Sequence, residues 1–171
     1  MHIADIQIRR LGADEAEIFR DIRLESLRCN PEAFGSSFAA ENVKPASWFA
    51  DRLSTSFVLG AFRPAELLGI AALVIQQGDK RAHKGVLVGM YVRPDARRAG
   101  VGRRLVEAIV ALARDRVELI QLSVVKENEA ARRLYAGQGF LEYGIELHAL
   151  KQNGRYYDEI LMAKDLALNQ E

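Results

Sequence analysis

Between Val92 and Arg116 the chain reads VRPDARRAGVGRRLVEAIVALARDR. Gly100 and Gly102 stand two apart among Arg97, Arg98, Arg103 and Arg104, and Val101, Leu105, Ile109 and Leu112 then fall on one helical face. A helix start leaves about four backbone N–H groups without intrahelical partners and carries roughly half a positive charge, so it attracts anions. Glycines let a ligand approach that backbone, and guanidiniums add charge-assisted bonds to phosphate oxygens. Together these residue types could cradle a pyrophosphate. On this stretch alone, the alternative is a glycine-tolerant helix start with solvated arginines.

Two better-known phosphate motifs do not fit. A triphosphate loop needs G-x-x-x-x-G-K-[ST], and a dinucleotide fingerprint needs G-x-G-x-x-G. Leu105 stands where the third glycine would fall, no Lys-Ser/Thr pair follows, and the strand GVLVGMYV ends several residues upstream. A nucleotide switch is thereby excluded.

The elements that must hold this turn can be read from periodicity. Ile3, Ile6 and Ile8 alternate with polar neighbours as a first strand, and Ile18, Ile22 and Leu27 mark a helix that Asn30-Pro31 stops. A loop, AFGSSFAAENVKP, leads to a short helix at ASWFADRL. The runs SFVLGAF and ELLGIAALVIQ read as strands joined at Arg63-Pro64, and GDKRAHKG as the next turn. In the strand GVLVGMYV, Gly89 marks a bulge or a close backbone approach. After the arginine-rich helix come the strand ELIQLSVV, a helix with Asn128 as N-cap and Gly139 as C-cap signal, and a strand from Phe140. The turn QNG leads to the last strand, YYDEILMAKDL. The order β-α-α-β-β-β-α-β-α-β-β makes a mixed α/β chain, and residues 1–171 read as one domain without linker or repeat.

Composition narrows the partners. The 171 residues carry 24 Lys+Arg and 23 Asp+Glu, a formal charge of +1, so there is no global pull toward nucleic acid or anionic membrane. Cys29 has no second cysteine to pair with and no neighbours at metal-ligand spacing. No apolar run approaches the roughly 20 residues of a membrane span, and MHIADIQIRR lacks a signal-peptide layout. These readings lead to the expectation of a cytoplasmic protein.

The succession of strand, Arg97-x-x-Gly100-x-Gly102 turn, helix, strand, and then Asn128, Ala131, Leu134-Tyr135 and Gly139-Phe140 resembles the GNAT superfamily of acetyl-coenzyme A dependent N-acetyltransferases. The family signature [Q/R]-x-x-G-x-[G/A] is matched in full by Arg97 to Gly102. The likeness extends over the whole chain in element order and is specific in residues from about Gly85 to Phe140. It implies a mixed, mostly antiparallel sheet of six to seven strands, flanked by about four helices and splayed at its central strands. It implies acetyl-coenzyme A as cosubstrate, an amine acceptor and no metal, with a homodimer through the C-terminal strands also admitted.

Residue by residue, the resemblance places the pyrophosphate on the backbone of Arg97, Arg98, Ala99, Gly100, Val101, Gly102 and Arg103. It pairs the pantetheine arm with the backbone of Met90, Tyr91 and Val92, where an N–H of Met90 or Tyr91 polarises the thioester carbonyl. Asn128 and Ala131 fall at coenzyme-contacting positions, although Asn128 also reads as a plain helix cap. Tyr135 is the catalytic candidate, because a phenol with a pKa of about 10 stays protonated at neutral pH and can protonate the departing thiolate. The alternative for Tyr135 is packing against the pantetheine.

The base that deprotonates the amine is left open among Glu41, His83, Asp158, Glu159 and a water chain. For the acceptor pocket, the segment NPEAFGSSFAAENVKPASWF offers Phe34, Phe38, Trp48 and Phe49 with Glu32 and Glu41, and the C-terminal hairpin offers Glu146, Tyr156 and Tyr157. The aromatics read equally as core. The excess of acids would suit a cationic amine, and small-molecule acceptors are favoured over protein N-termini or lysines. Direct attack in a ternary complex is expected, because Cys29 lies too early in the chain to serve as an acyl carrier. A coenzyme-binding module without turnover is the competing class.

Overall fold

The computed structural model describes residues 6–167. Ile3 of the expected first strand lies outside them. A seven-stranded sheet runs in the order β1-β2-β3-β4-β5-β7-β6. Its strands are β1 (Gln7–Arg10), β2 (Phe57–Arg63), β3 (Glu66–Ile75), β4 (Lys84–Val92), β5 (Leu119–Val125), β6 (Leu141–Gln152) and β7 (Arg155–Asp165). Every neighbouring pair is antiparallel except β4 with β5. The helices are α1 (Ala16–Cys29), α2 (Phe38–Asn42), α3 (Ala46–Thr55), α4 (Val101–Ala113) and α5 (Glu129–Gly137). The mixed α/β class and the mostly antiparallel sheet are as the sequence implies.

One helix departs from that reading. Phe38–Asn42, expected as loop, forms the single turn α2, capped by Ser37, whose hydroxyl accepts from the Ala40 amide at 3.2 Å. Five residues are too few for a periodic apolar stripe, so only the cap signals it.

The sheet separates two cores. On one face α4 buries Val101, Leu105, Val106, Ile109 and Val110 against Leu68, Leu87, Ile120 and Leu122. On the other, α1 and α3 bury Phe19, Ile22, Leu27, Phe49 and Leu53 against Val58, Phe62, Leu67 and Ile70. Burial of one Leu or Phe side chain is worth about 1.5–3 kcal/mol, so both helix layers are held by many such contacts and the sheet is fixed between them.

Two irregularities open the middle of this sheet. Ala71 of β3 faces both Gly89 and Met90 of β4, since Ile70 pairs with Tyr91 and Ala72 with Val88. Gly89 takes φ +64° there, the left-handed conformation that a glycine bulge requires. The parallel β4–β5 ladder then holds only from Lys84↔Leu119 to Val86↔Gln121. Beyond it, Leu87–Val92 and Leu122–Val125 diverge, leaving the splay expected at the centre of the sheet.

Candidate active site

The turn after β4 is built by local chemistry. Pro94–Ala96 forms a short 3-10 turn, Arg98 (φ 61°) and Gly100 (φ 75°) are left-handed, and α4 begins at Val101 with Gly100 as N-cap. The first helical bond runs from the Arg104 amide to the Gly100 carbonyl at 3.1 Å, so the amides of Val101, Gly102 and Arg103 have no i−4 acceptor within the helix. Val101 is buried and Ala99 packs against the same core, which leaves the backbone of the turn as its outward feature.

Two residues of the signature have structural duties that the sequence did not reveal. A Cβ on Gly102 would stand 3.1 Å from Met90 Cε and 3.3 Å from Leu134 Cδ2, so this glycine lets α4 close onto β4 and α5. Arg97 donates from Nε to the Val92 carbonyl (2.9 Å) and from its terminal nitrogen to Asn30 Oδ1 (3.0 Å), which ties the turn to β4 and to the end of α1. Its guanidinium is therefore engaged with protein. Arg103 likewise pairs with Glu107 at 2.7 Å, one helical turn away. The Val92 carbonyl retains a second lone pair.

On the splayed strand, Met90 faces the α4 core and Tyr91 the α1 core. The Tyr91 hydroxyl donates to Glu25 Oε1 at 3.0 Å, and Arg93 Nε stands 3.2 Å from Glu25 Oε2, so α1 clamps the end of β4. Burial, with Glu25 and Cys29 beside it, pushes the Tyr91 phenol up from its ordinary value. Cys29, early in sequence, is thus a spatial neighbour of β4, and its side chain is exposed.

Tyr135 owes its place to a helix ending. Gly139 (φ 85°) closes α5 with its amide on the Ala136 carbonyl (3.0 Å), and the Phe140 amide reaches back to the Tyr135 carbonyl (3.1 Å). This six-to-one bond brings the two residues flanking the motif into contact. The rings of Tyr135 and Phe140 meet edge to face at 5.9 Å, with Tyr135 5 % exposed. Burial alone pushes its phenol well above the ordinary value, and among the described residues no group hydrogen-bonds the hydroxyl. At the opposite end of α5, the Asn128 side chain accepts from the Ala131 amide at 3.2 Å.

The four candidate bases separate cleanly. Glu41 is 3 % exposed and held by Arg23 in a two-pronged pair, Nε to Oε2 at 2.9 Å and the terminal nitrogen to Oε1 at 2.8 Å, with Arg52 at 3.5 Å. Burial would raise its carboxyl, yet the bonds from Arg23, Ser36 and the charge of Arg52 outweigh that and leave it below the usual range. His83 lies at the closed end of the β4–β5 ladder, where its carbonyl accepts from Glu118 and Leu119. Asp158 holds the irregular stretch of β6 by accepting from the His148 amide at 2.9 Å.

Glu159 is different. It pairs in register with Val125, beyond the last β4–β5 contact, and with Glu146 of β6. Its neighbours Ile160 and Met162 alternate into the α4 core, so by that alternation Ile160 and Glu159 point to opposite faces, placing Glu159 on the α1 side of the opening. Burial raises its carboxyl, a bond with Ser123 partly offsets this, and the Glu146 charge raises it further.

Of the aromatics in the acceptor segment, Phe49 is wholly buried, and Phe34, Phe38 and Trp48 pack on the same cluster. Phe19, Arg23 and Arg52 instead line a narrow recess beside Val88 and Gly89. Neither Arg23 nor Arg52 belongs to a motif legible in the sequence. Arg23 sits within the apolar stripe Phe19, Ile22, Leu27 of α1, and a charge in such a stripe was its one visible signal.

A sheet that opens beside a bulged strand, next to a helix start whose first amides lack helical partners, forms a slot bordered by an anion site. The sequence profile of the Acetyltransferase (GNAT) family matches residues 19–140, and the chain belongs to that family. Solved structures agree in fold. A GNAT-family acetyltransferase from Streptococcus pneumoniae superposes with TM-score 0.83 at 21% identity, covering 94% of this chain and 99% of its own. The putative acetyltransferase yncA from Salmonella typhimurium, solved with its cofactor acetyl-CoA, gives 0.79 at 17% identity over 98% and 97% of the two chains. A ribosomal-protein-alanine N-acetyltransferase from Brucella melitensis gives 0.78 at 24% identity over 94% and 99%. Among the described residues no helix is long and apolar enough to cross a membrane.

Proposed function

We propose that the chain, acting as one catalytic unit in the cytoplasm, transfers the acetyl group of acetyl-coenzyme A directly to the primary amine of a small molecule. The observation that carries this reading is the divergence of β4 from β5 past Val86, directly ahead of the Arg97–Arg103 turn. The residues present fit the coenzyme. Unpaired amides of Val101, Gly102 and Arg103 suit its pyrophosphate, and the free edge of β4 at Met90, Tyr91 and Val92 suits a strand-like amide arm. When bound, the coenzyme supplies an activated acetyl thioester.

Glu159 takes the proton of the acceptor ammonium from the α1 side of the sheet. Its raised affinity for protons narrows the gap to an amine of pKa about 10.4, which an ordinary carboxylate would leave wider. An N–H of Met90 or Tyr91 holds the carbonyl oxygen as charge develops, and Tyr135 donates its proton to the leaving thiolate from the α5 side. Acid and base thus work from opposite faces of one opening. Asn128 caps α5 and, with Ala131, borders the coenzyme. The long edge strand β6, exposing Leu141, Tyr143, Ile145 and Leu147, supports a homodimer through the C-terminal strands.

The test is release of free coenzyme A thiol from acetyl-coenzyme A across a panel of primary amines. Amine-dependent thiol release is expected. Tight coenzyme binding without turnover on any amine would leave a binding module and overturn the enzyme reading.

A further inference from the structure

The recess beside the β4 bulge has an apolar floor and a cationic wall. Ala72, Val74 and Val88 form the floor, Gly89 opens its edge, and Arg23 and Arg52 stand over it. With a volume of about 20 Å³ it has room for little more than one water-sized polar group. Two guanidiniums here face one carboxylate, Glu41, so the cluster keeps one positive charge.

That surplus resides on Arg52. Arg23 spends two of its nitrogens on both oxygens of Glu41 and is buried. Arg52 reaches the same carboxylate through one nitrogen only, at the long distance of 3.5 Å, and its side chain remains 33% exposed. Its guanidinium is steadied by rings instead, lying over Trp48 at 4.9 Å and Phe19 at 5.9 Å, contacts that use no N–H donor. Of five N–H groups on an arginine, most remain available to a planar oxyanion. Burial and the neighbouring Arg23 charge also lower the proton affinity of Arg52, a strain that an anion would relieve.

We infer that the acceptor is an amino-acid-like molecule, carrying a carboxylate near its amine, and that Arg52 binds that carboxylate at the mouth of the recess, which has room for one of its oxygens. The inference rests on the acetyl-transfer reading and refines it. The expectation of a cationic amine drew on Glu32, Glu41 and Glu146, and of these Glu41 is already neutralised by Arg23. A polyamine would bring a second ammonium toward uncompensated positive charge.

The experiment compares α-amino acids with the carboxamides of the same amino acids, side chain held constant and rates taken per unprotonated amine, in free-thiol release. Wild-type kcat/KM should favour the acids by about 10- to 100-fold, the range of a hydrogen-bonded charge. Arg52→Gln should erase the preference by raising KM for the acids while KM for acetyl-coenzyme A stays unchanged, and Arg52→Lys should restore part of it. Equal wild-type use of acids and amides, or an Arg52→Gln loss that is the same for both, would overturn the inference and leave acetyl transfer standing. No turnover on either series would remove both. The wild-type ratio decides even if a variant folds poorly.

Discussion

Glu41 has the most consequential alternative roles, base or buried counter-ion, and its removal separates them. In the structure its carboxylate accepts from the Arg23 Nε at 2.9 Å and from a terminal nitrogen at 2.8 Å, with both side chains almost wholly buried. Removing one member of a buried pair strands the other charge and costs about 3–5 kcal/mol. Against a total stability of about 5–15 kcal/mol, Glu41→Ala should lower the melting temperature by about 6–20 °C. Glu41→Gln keeps one acceptor oxygen and should lose less. Because the folded carboxyl titrates below its ordinary value, this stabilisation is fully present above the unfolded pKa of about 4.5. It disappears as pH falls through the lowered folded value, so wild type and Glu41→Ala should converge in acid. Thermal unfolding between pH 3 and 8, with kcat measured well below each melting point, checks both halves. A Glu41→Ala protein that melts within about 2 °C of wild type but loses more than about a hundredfold in kcat would refute the counter-ion assignment and restore Glu41 as base.

Other perturbations follow from the same geometry. Tyr135→Phe keeps the ring contact with Phe140, so it should fold normally while kcat drops by about 10²- to 10⁴-fold; an unchanged kcat leaves Tyr135 a packing residue. Glu159→Gln should lose a similar factor and at the same time melt higher at neutral pH. A carboxyl whose folded pKa is raised stabilises only below its unfolded value, and that contribution is lost as pH rises through the folded one. The acid limb of the wild-type rate should accordingly titrate above the ordinary carboxylate range. Gly102→Ala needs Met90 and Leu134 to yield only a few tenths of an ångström and should stay folded with near-normal KM for acetyl-coenzyme A. Gly102→Val overpacks the same gap and should cost about 1–3 kcal/mol as well as coenzyme affinity, read by unfolding and by KM. Cys29→Ser should change kcat less than about twofold if transfer is direct, whereas abolition would indicate an acyl-cysteine step.

Strands and long helices were legible because their signals are local and repeat. The stripe of Val101, Leu105 and Ile109, the Asn128 cap, the Gly139 ending and the QNG turn each concern residues a few positions apart, and each forms as expected. The helix α2 escaped because one turn has no period to detect. Candidate bases were only a shortlist, since burial and charge environment depend on partners far along the chain: Glu41 meets Arg23 across 18 positions.

By itself, then, the sequence determined the element order, the Arg97–Gly102 turn and the family whose chemistry that turn serves, because backbone conformation and capping depend on near neighbours. Only the tertiary structure decided that Gly102 is a packing glycine, that Arg97 braces the turn, and that Glu41 is locked while Glu159 lies half-buried beside the opening. It also left Arg52 half-satisfied over the recess. Those outcomes are set by desolvation and by charges brought together from distant segments, quantities that exist only once the sheet and its two helical layers have closed.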